Sequence, residues 1–381
     1  MKRLICTLLC TILILGNGVA YAEPKFRYSF EEALEIAMKN TPEYGLQDKV
    51  IEKYSDAYDN LYKATPNRVI YLGSMKSFIS KQVDPQIQLE NTYSQYSSAR
   101  LQKENIKRNV ALNLRSTVIG ISKAEMAYKE AELAKKNKQK ELDLLEIRYE
   151  NGLISKKDYN EQKKKINNEI KDALTQAQDA VDLAYRQLNT MLGREDEKDI
   201  EVKLNDTVIP LEKLDLEQIK KDMIKKNENL NNLYEQRRIA DYKFGLIKQR
   251  YDKYEIDKFT DDMLLDMEDM YDDAKEEYEL ANQAYENALD RFNKSFDDMI
   301  EKIKDIYDDI EELKKDIAEE KEKMELNKLL YESGRMTKLE YDALGDKITL
   351  MENDLKELEL DLNMKYAELL IYSDLDKVIK E

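Results

Sequence analysis

The residue types that most often carry out catalysis are nearly absent from this chain. Histidine and tryptophan do not occur, and the two cysteines, Cys6 and Cys10, both lie within the first ten residues. The usual general base, the nitrogen and sulfur ligands of metal ions and a thiol nucleophile are therefore missing. No glycine-rich loop suited to phosphate is present either. We predict that the protein is not an enzyme and that it uses no metal or other cofactor.

Carboxylates are abundant in the chain. They occur in pairs such as Asp261-Asp262, Asp272-Asp273 and Asp297-Asp298, among 79 acidic residues in all. At this density such pairs are typical of solvated helix faces, with weak binding of divalent cations as the alternative. Because the formal net charge is −17, the chain lacks the basic surface that binds phosphate backbones, and we expect no nucleic-acid partner.

A twelve-residue pattern that occurs twice is the strongest feature of the sequence. Residues 148–159 read RYENGLISKKDY, and residues 330–341, 182 positions later, read LYESGRMTKLEY; five positions are identical and four are conservative pairs. In each copy a glycine is suited to end one helix, and a hydroxyl residue three positions later is suited to begin the next. These residues are Gly152 with Ser155 and Gly334 with Thr337. Each copy therefore predicts a turn between two antiparallel helices.

Apolar and aromatic residues at these turns leave two interpretations open. A plain turn accounts for the glycines and hydroxyls, but not for Tyr149 and Leu153 in the first copy or Tyr331 and Met336 in the second. Such groups at the exposed end of a helical hairpin are typical of contacts with a partner or a neighbouring subunit. Docking and a plain turn are both consistent with the residues alone.

Long helices must position these turns. Charged residues make up 37% of the chain, with only 10 Gly and 5 Pro in 381 residues, which is typical of coiled-coil proteins. Capping boxes that begin at Ser29 and Asp215 mark two helix starts. We therefore divide the chain into a first repeat at 29–193, a linker at 194–214, a second repeat at 215–373 and a tail at 374–381.

Each repeat is predicted to contain three helices. They are expected near 29–64, 86–151 and 155–192 in the first repeat, and near 216–257, 260–333 and 337–373 in the second. The helix boundaries around Thr65-Pro66 and Pro85 follow from the steric effects of proline. Within the linker, residues Ile200–Val202 are a candidate strand.

Apolar residues recur along these helices at steps of three and four, with one step of seven, which predicts coiled-coil packing. The stripes consist of Ile166, Ile170, Ala173, Ala177, Ala180, Ala184 and Leu188; of Met299, Ile303, Ile306, Ile310, Leu313 and Ile317; and of Tyr341, Leu344, Ile348, Met351, Leu355, Leu358, Leu362 and Leu369. A helix over 86–151 would be about 100 Å long, and the two shorter helices of its repeat would match it end to end. We predict an all-α fold in which rods of about 100 Å form a four-stranded wall.

The N-terminus has the features of a secretory signal peptide at residues 1–22. Lys2 and Arg3 precede an apolar run from Leu4 to Leu15, and Ala20-Tyr21-Ala22 offers a cleavage site. An uncleaved anchor is the alternative. Cleavage would remove both cysteines and make the net charge −19. We expect an exported protein of the cell envelope or outer cell surface, associated with the outer membrane if the cell has two membranes.

At the two turns the chain resembles the TolC-like outer-membrane efflux proteins, whose repeats carry an R-Y-x-x-G-L-x-S/T-x-x-D turn followed by an apolar residue. Residues 148–159 fit this pattern, as do Phe30–Leu34 with Asn40–Glu43 at the start of the repeat and Leu188–Gly193 near its end. The resemblance covers nearly the whole chain after the signal peptide. It implies a homotrimer in which each chain lends two helical hairpins to a twelve-helix tube.

The resemblance also implies roles for the turn residues. They would be the tips that dock on a periplasmic-adaptor-like protein that works with an inner-membrane transporter. The residues concerned are Gly152, Leu153, Ser155 and Asp158 in the first turn, and Gly334, Arg335, Thr337 and Glu340 in the second. Asp158 and Tyr331 occupy positions of a constriction, whereas Met336 stands where that constriction has an arginine.

The sequence departs from the family between the first two helices of each repeat. Family members insert a β-hairpin there, and these hairpins close into a membrane barrel with strands of about 9–11 residues. Between the first two helices of the first repeat, only Val69–Leu72 and Phe78-Ile79 look like strand. The corresponding segment of the second repeat, Ile256 to Asp273, is acidic and reads as helix. We expect a TolC-like protomer without a β-barrel, attached to a membrane only through partners or an uncleaved signal.

Three functions are consistent with these features. The leading hypothesis is an export component that forms a helical duct or a docking element with an adaptor and an inner-membrane transporter. The alternative is a structural or scaffolding coiled-coil protein of the envelope that does not transport. An acidic, cation-binding surface protein is the third.

Overall fold

The protein is almost entirely helical, as predicted. The computed structural model describes residues 26–64, 74–195, 199–204, 208–253 and 260–373. Within these ranges the elements are β1 (Phe26–Ser29), α1 (Phe30–Lys39), α2 (Pro42–Ala64), α3 (Met75–Glu150), α4 (Lys156–Leu192), β2 (Ile200–Lys203), α5 (Leu216–Lys226), α6 (Glu228–Lys253), α7 (Asp261–Glu332) and α8 (Lys338–Leu370). The predicted signal peptide, the strand-like Val69–Leu72 and the tail at 374–381 lie outside the described residues.

Two long helices set the height of the molecule. α3 has 76 residues and α7 has 72, which correspond to about 114 Å and 108 Å. α3 packs against α2, α4, α6 and α8, and α7 packs against α6 and α8. The wall thus has α2 and α4 along one edge, α3 next, then α6 and α8, and α7 along the other edge.

Polar contacts fix the register of the helices beside α3. They join Gln47 of α2 to the Ala99 carbonyl at 2.9 Å, Tyr185 of α4 to Glu125 at 2.7 Å, Arg238 of α6 to Glu90 at 2.7 Å, and Asp361 of α8 to Lys123 at 2.8 Å. α2 and α6 therefore flank the first half of α3, and α4 and α8 flank its second half. This is the predicted arrangement of two shorter helices end to end beside one long helix.

α3 begins earlier than predicted and passes through a proline. Its cap is Ser74, and Pro85, which was expected to precede the helix, lies inside it. A proline within a helix costs about 3 kcal/mol, and burial of the apolar side chains that precede it offsets this cost. The buried side chains are Met75, Ile79 and Val83, which pack against α6 and α7. The interpretation of Phe78-Ile79 as strand-like was also wrong, because both residues lie in this first part of α3 and pack against α6 and α7.

The first predicted helix of each repeat is broken in two. α1 ends at Lys39 and α2 begins at Pro42, because the residue before a proline is pushed out of the helical region. Between α5 and α6, the Asn227 side chain accepts a hydrogen bond from the Leu230 N–H at 3.0 Å and restarts the helix. The continuous helices expected near 29–64 and 216–257 were therefore wrong at these points.

One of the two predicted capping boxes is complete. Ser29 accepts a hydrogen bond from the Glu32 N–H at 3.2 Å, and the Glu32 carboxylate accepts one from the Ser29 N–H at 2.8 Å. Asp215 accepts a bond from the Gln218 N–H at 3.1 Å, but the Gln218 amide donates to Asp222 at 3.0 Å rather than back to the cap. The second box is therefore only half formed.

The two largest apolar clusters lie at mid-height, and a small sheet borders one of them. β1 and β2 pair in parallel, with Phe26 opposite Ile200; the strand at Ile200–Val202 was predicted, and its partner was not. One cluster surrounds Leu114 and Leu188 beside this sheet. The second contains Ile219, Ile303 and Leu369 on α5, α7 and α8.

The predicted apolar stripes are confirmed on α7 and α8, where every residue named is buried or half-buried. On α4 the stripe was wrong at Ala173 and Ala180, which are exposed. Their larger neighbours Leu174 and Val181 are half-buried instead, because these side chains remove more apolar surface from water at the same helical turn.

The end of α4 depends on a glycine pressed against the end of α1. Gly193 has φ +63°, and a Cβ there would lie 2.6 Å from Asn40 Nδ2. We expect Gly193→Ala to lower the free energy of unfolding by about 1–3 kcal/mol, measured by urea denaturation followed by circular dichroism. Gly120→Ala in α3 is the matched control, since nothing lies within 4 Å of its added Cβ and alanine favours the helix. Equal stability of the two variants would contradict the role given to Gly193.

Candidate functional site

The two predicted tips have the same backbone geometry. Gly152, between α3 and α4, has φ +71°, and Gly334, between α7 and α8, has φ +72°. The closing hydrogen bonds run from the Leu153 N–H to the Arg148 carbonyl at 2.9 Å and from the Arg335 N–H to the Leu330 carbonyl at 2.8 Å. This left-handed helix end with a bond back to the last turn is the one that glycine favours.

Each turn ends in a hydroxyl that caps the next helix. Ser155 Oγ accepts from the Asp158 N–H at 3.1 Å and donates to the Asp158 carboxylate at 2.7 Å. Thr337 and Glu340 form a full capping box, in which the Glu340 carboxylate accepts from the Thr337 N–H and hydroxyl, both at 2.8 Å. The Thr337 N–H, and then its hydroxyl, hold the pKa of the Glu340 carboxyl below its usual value.

Stacked tyrosines join the two helices of each hairpin just behind the turn. The ring centroids of Tyr149 and Tyr159 are 4.6 Å apart with an interplanar angle of 14°, and those of Tyr331 and Tyr341 are 5.2 Å apart at 9°. Lys163 also donates to the Tyr159 hydroxyl at 2.8 Å. The aromatic residues that a plain turn did not explain thus fix the separation of the helices at both tips.

Apolar side chains remain exposed around both tips. Leu153 at the first turn is 70% exposed, and Leu326 near the second is 66% exposed. Others in the same regions are Leu144, Ile147, Leu329, Leu330 and Leu339. Because single exposed apolar residues are common but grouped ones mark interaction sites, the ends of the hairpins are candidate docking surfaces.

Both tips lie at the same end of the wall. Lys140 of α3 pairs with Asp342 of α8 at 3.3 Å. Further from the tips, Asn353 of α8 donates to Glu130 of α3 at 3.0 Å. α3 and α8 are therefore antiparallel neighbours, and the turns that follow Glu150 and precede Lys338 project together.

The predicted constriction residues are each engaged within their own hairpin. The Asp158 carboxylate binds Ser155, and the Tyr331 ring lies on Tyr341 while remaining partly exposed. Beside Gly334, Arg335 is exposed and Met336 is half-buried. Their role in a constriction stays a prediction. The stacking partners Tyr159 and Tyr341 were not predicted, although their matching places in the repeated pattern were a usable signal.

No group of three or more His, Cys, Asp or Glu side chains suited to a metal ion is found among the described residues. In the same part of the chain, no helix is long and apolar enough to cross a membrane.

Comparison with known proteins places this geometry in a known fold. No protein-family model matches the sequence, and no curated protein matches it closely. Solved structures do match: the outer membrane protein VceC of Vibrio cholerae has a TM-score of 0.57 at 13% identity, over 89% of this chain and 95% of that chain. The chain has the TolC-like fold.

Two further channels with the TolC-like fold give the same result. The open-state MtrE outer membrane channel of Neisseria gonorrhoeae has a TM-score of 0.59 at 13% identity, over 90% of this chain and 88% of that chain. The outer-membrane channel OprN has a TM-score of 0.61 at 11% identity, over 90% and 89%. The predicted resemblance is confirmed for the fold along nearly the whole chain.

The second tip should respond to acid through Glu340. Because its pKa is lowered in the folded protein, the cap of α8 is fully stabilised above the ordinary glutamate pKa and is lost as the pH falls through the lowered value. We expect amide-exchange protection at Glu340 and Tyr341 to fall on acidification in the original chain. In Glu340→Gln, whose amide oxygen can still accept from Thr337 but does not titrate, this protection should no longer depend on pH, whereas Glu332→Gln in the same turn should behave as the original. An unchanged profile in Glu340→Gln would contradict this.

Proposed function

We propose that the chain, without its signal peptide, forms a homotrimeric helical duct in the cell envelope and docks through its tips on an adaptor-like protein that works with an inner-membrane transporter. The observation that carries the proposal is the pair of matching turns at Gly152 and Gly334, at one end of a wall with the TolC-like fold. In this proposal the repeats are those predicted at 29–193 and 215–373.

The free edges of the wall support closure with further copies. Both edges carry large apolar side chains that are exposed in a single chain. They are Leu265 and Leu280 on α7, and Leu46, Tyr62 and Leu183 on α2 and α4. Contact between the α7 edge of one chain and the α2–α4 edge of the next would bury both sets. Such a head-to-tail contact closes into a ring when its rotation allows.

The construction of the tips supports docking. The caps at Ser155 and Thr337 and the tyrosine stacks behind them hold each turn in one shape. Leu153 stands out from the first turn with 70% of its surface exposed. A rigid apolar anchor loses little conformational entropy when it binds, which favours its use at an interface.

A non-transporting scaffold of the envelope is the second candidate. It is favoured by Met336, which stands where the resembled family has the arginine of its constriction. This role keeps the hairpins and the assembly but has no need of a gate.

The trimer is tested by the molar mass of the chain from residue 23 onward. Light scattering coupled to size-exclusion chromatography should give three times the protomer mass. Glu substitutions at Leu280 and Leu183, on opposite edges, should each shift the mass toward the monomer, because they place a charge in the contact. Leu153→Glu at the tip is the control and should leave the mass unchanged. A stable monomer for the original chain would contradict the proposal.

Docking is tested with single cysteines, since both natural cysteines lie in the predicted signal peptide. Cells carrying Leu153→Cys should yield a cross-link to an envelope protein after treatment with a thiol-to-amine reagent. Leu350→Cys, 40% exposed part-way along α8, is the matched control because it lies outside the proposed contacts between copies, and it should not yield this product.

The turn geometry gives an independent check of docking. Gly152→Pro combined with Gly334→Pro should abolish the cross-link and export while helical content stays high, because proline cannot adopt φ near +70°. The corresponding asparagine pair should retain both, since asparagine tolerates this conformation. Export that persists in the proline variant would refute the docking role, and the scaffold function would then be the remaining candidate.

A further inference from the structure

The two hairpins of the wall do not end at the same height. Lys140 of α3 pairs with Asp342 of α8 at 3.3 Å, although Lys140 lies ten residues before the end of α3 and Asp342 only four residues after the start of α8. The Asn353 amide donates to Glu130 at 3.0 Å, and here the two distances are fifteen residues on α8 and twenty on α3. The first hairpin therefore projects beyond the second by five or six residues, which is about 8–9 Å along a helix.

The projecting part of α3 continues the face that contacts α8 further from the tips. Helices in a coiled coil present the same face at every seventh residue. Leu144 lies two such repeats beyond Glu130, and Ile147 lies one repeat beyond Lys140. Because Glu130 and Lys140 both contact α8, the face changes from polar to apolar at the height where α8 ends.

Leu144, Ile147 and Leu339 form an exposed apolar step at this height. Leu144 and Ile147 are 51% and 52% exposed, because α8 begins too late to cover them. Leu339 is in the first turn of α8, two repeats before Asn353, and is 48% exposed. The stripe of α3 that faces α4 is covered at the same height, where Leu145 is buried. Grouped apolar side chains that a neighbouring element leaves uncovered are typical of interaction sites.

In the proposed trimer each second hairpin lies between two first hairpins, its own and that of the next copy. The projecting parts therefore enclose three notches, each as wide as one hairpin, with the second turn as the floor. One wall of each notch is the apolar step, and the other is α4 of the next copy. On α4, Lys157 and Lys164 are exposed. Each lies two residues before a side chain that packs on α3, Tyr159 or Ile166, and so points about 200° away from α3 and toward the notch.

This inference rests on the proposed function: we infer that each notch binds one helical hairpin of the partner protein, stacked end to end on the second hairpin of this chain. An apolar stripe of the partner would cover Leu144, Ile147 and Leu339, and its carboxylates would face Lys157 and Lys164. The wall is already built in this way, since α2 and α4 lie end to end beside α3. A helix with one apolar face is the element that covers such a strip.

The step is tested in the chain from residue 23 onward, since both natural cysteines precede it. Leu144→Cys combined with Leu339→Cys should form a disulfide on mild oxidation, because the register places the two positions opposite each other. Glu150→Cys combined with Leu339→Cys is the matched control, and it should not, although these positions would be neighbours if both hairpins ended together. No disulfide in the first pair, or one that forms as readily in the second, would overturn the step.

Occupation of the notch is tested by cross-linking in cells. Ile147→Cys should give a product with the same protein as Leu153→Cys, and mass spectrometry should place the linked lysine in a helical hairpin of that protein. In the Leu153→Cys chain, Ile147→Glu should lower the yield at least about tenfold, because it buries a charge in an apolar contact. Leu350→Glu is the matched control and should leave the yield unchanged.

The basic wall of the notch gives a second variant. Lys164→Glu in the Leu153→Cys chain should lower the yield about threefold to tenfold, because it replaces an attraction to carboxylates by a repulsion. Lys248→Glu, exposed on α6 in the other half of the wall, is its control and should not. Light scattering should give the trimer mass for all of these variants, since the projecting part of the first hairpin lies beyond the end of α7.

The outcomes separate the notch from the docking function. A Leu153→Cys product whose yield is unaffected by Ile147→Glu would overturn the notch and leave docking at the tip intact. The absence of any Leu153→Cys product would refute the docking function and this inference with it. A product made of two copies of this chain would overturn the choice of a partner protein.

Discussion

The architecture depends on the geometry of a helix that is far longer than a globular core is wide. α3 and α7 extend for more than 70 residues each, and each carries only a narrow apolar stripe. Such a stripe can be buried only sideways, by other helices that run along it. Because the neighbours α2, α4, α6 and α8 are only about a third to a half as long, each long helix needs two of them end to end. The wall and its hairpins follow from this requirement.

The same geometry determines where apolar packing is most extensive. Where short helices meet end to end, at mid-height, the sheet and the α1 and α5 segments join them and the apolar clusters are widest. Toward the tips the cluster of the first hairpin contains only four buried residues, one of them Tyr159. Stacked rings and capping hydrogen bonds supplement the apolar contacts there. A tip built in this way keeps its shape without the lateral bulk that would crowd a neighbouring hairpin.

Features governed by neighbouring residues could be predicted from the sequence. The turns at Gly152 and Gly334 depend on residues within one helical turn, and their caps were predicted residue by residue. Rules applied one residue at a time failed where packing overrode them. Pro85 looked like a boundary, but Met75 and Ile79 on its far side pack against α6 and α7. Similarly, spacing alone did not separate Ala173 from Leu174, since only the position of α3 decides which of them is covered.

Contacts between distant segments could not be predicted. Nothing near Phe26 indicates that it will pair with Ile200, and nothing near Gly193 indicates that Asn40 will lie against it. The burial of the Tyr366 hydroxyl belongs to the same class, because Tyr366 is one more apolar position along α8 in the sequence. The tip residues were found because the contacts that shape the turns are local in sequence, and these contacts were missed because they are not.

The parallel pairing of β1 with β2 has a consequence for how the chain acquires its structure. β1 is the first element of the described chain, and its partner lies beyond α4. A chain that is synthesised from its N-terminus onward contains β1 long before Ile200–Lys203. During that interval the α3–α4 hairpin, whose contacts are close in sequence, can form, but the strand cannot. Non-local pairings of this kind form late. The residues of β1 are therefore available early and fixed late, and they close the first half of the molecule only after α4 is in place.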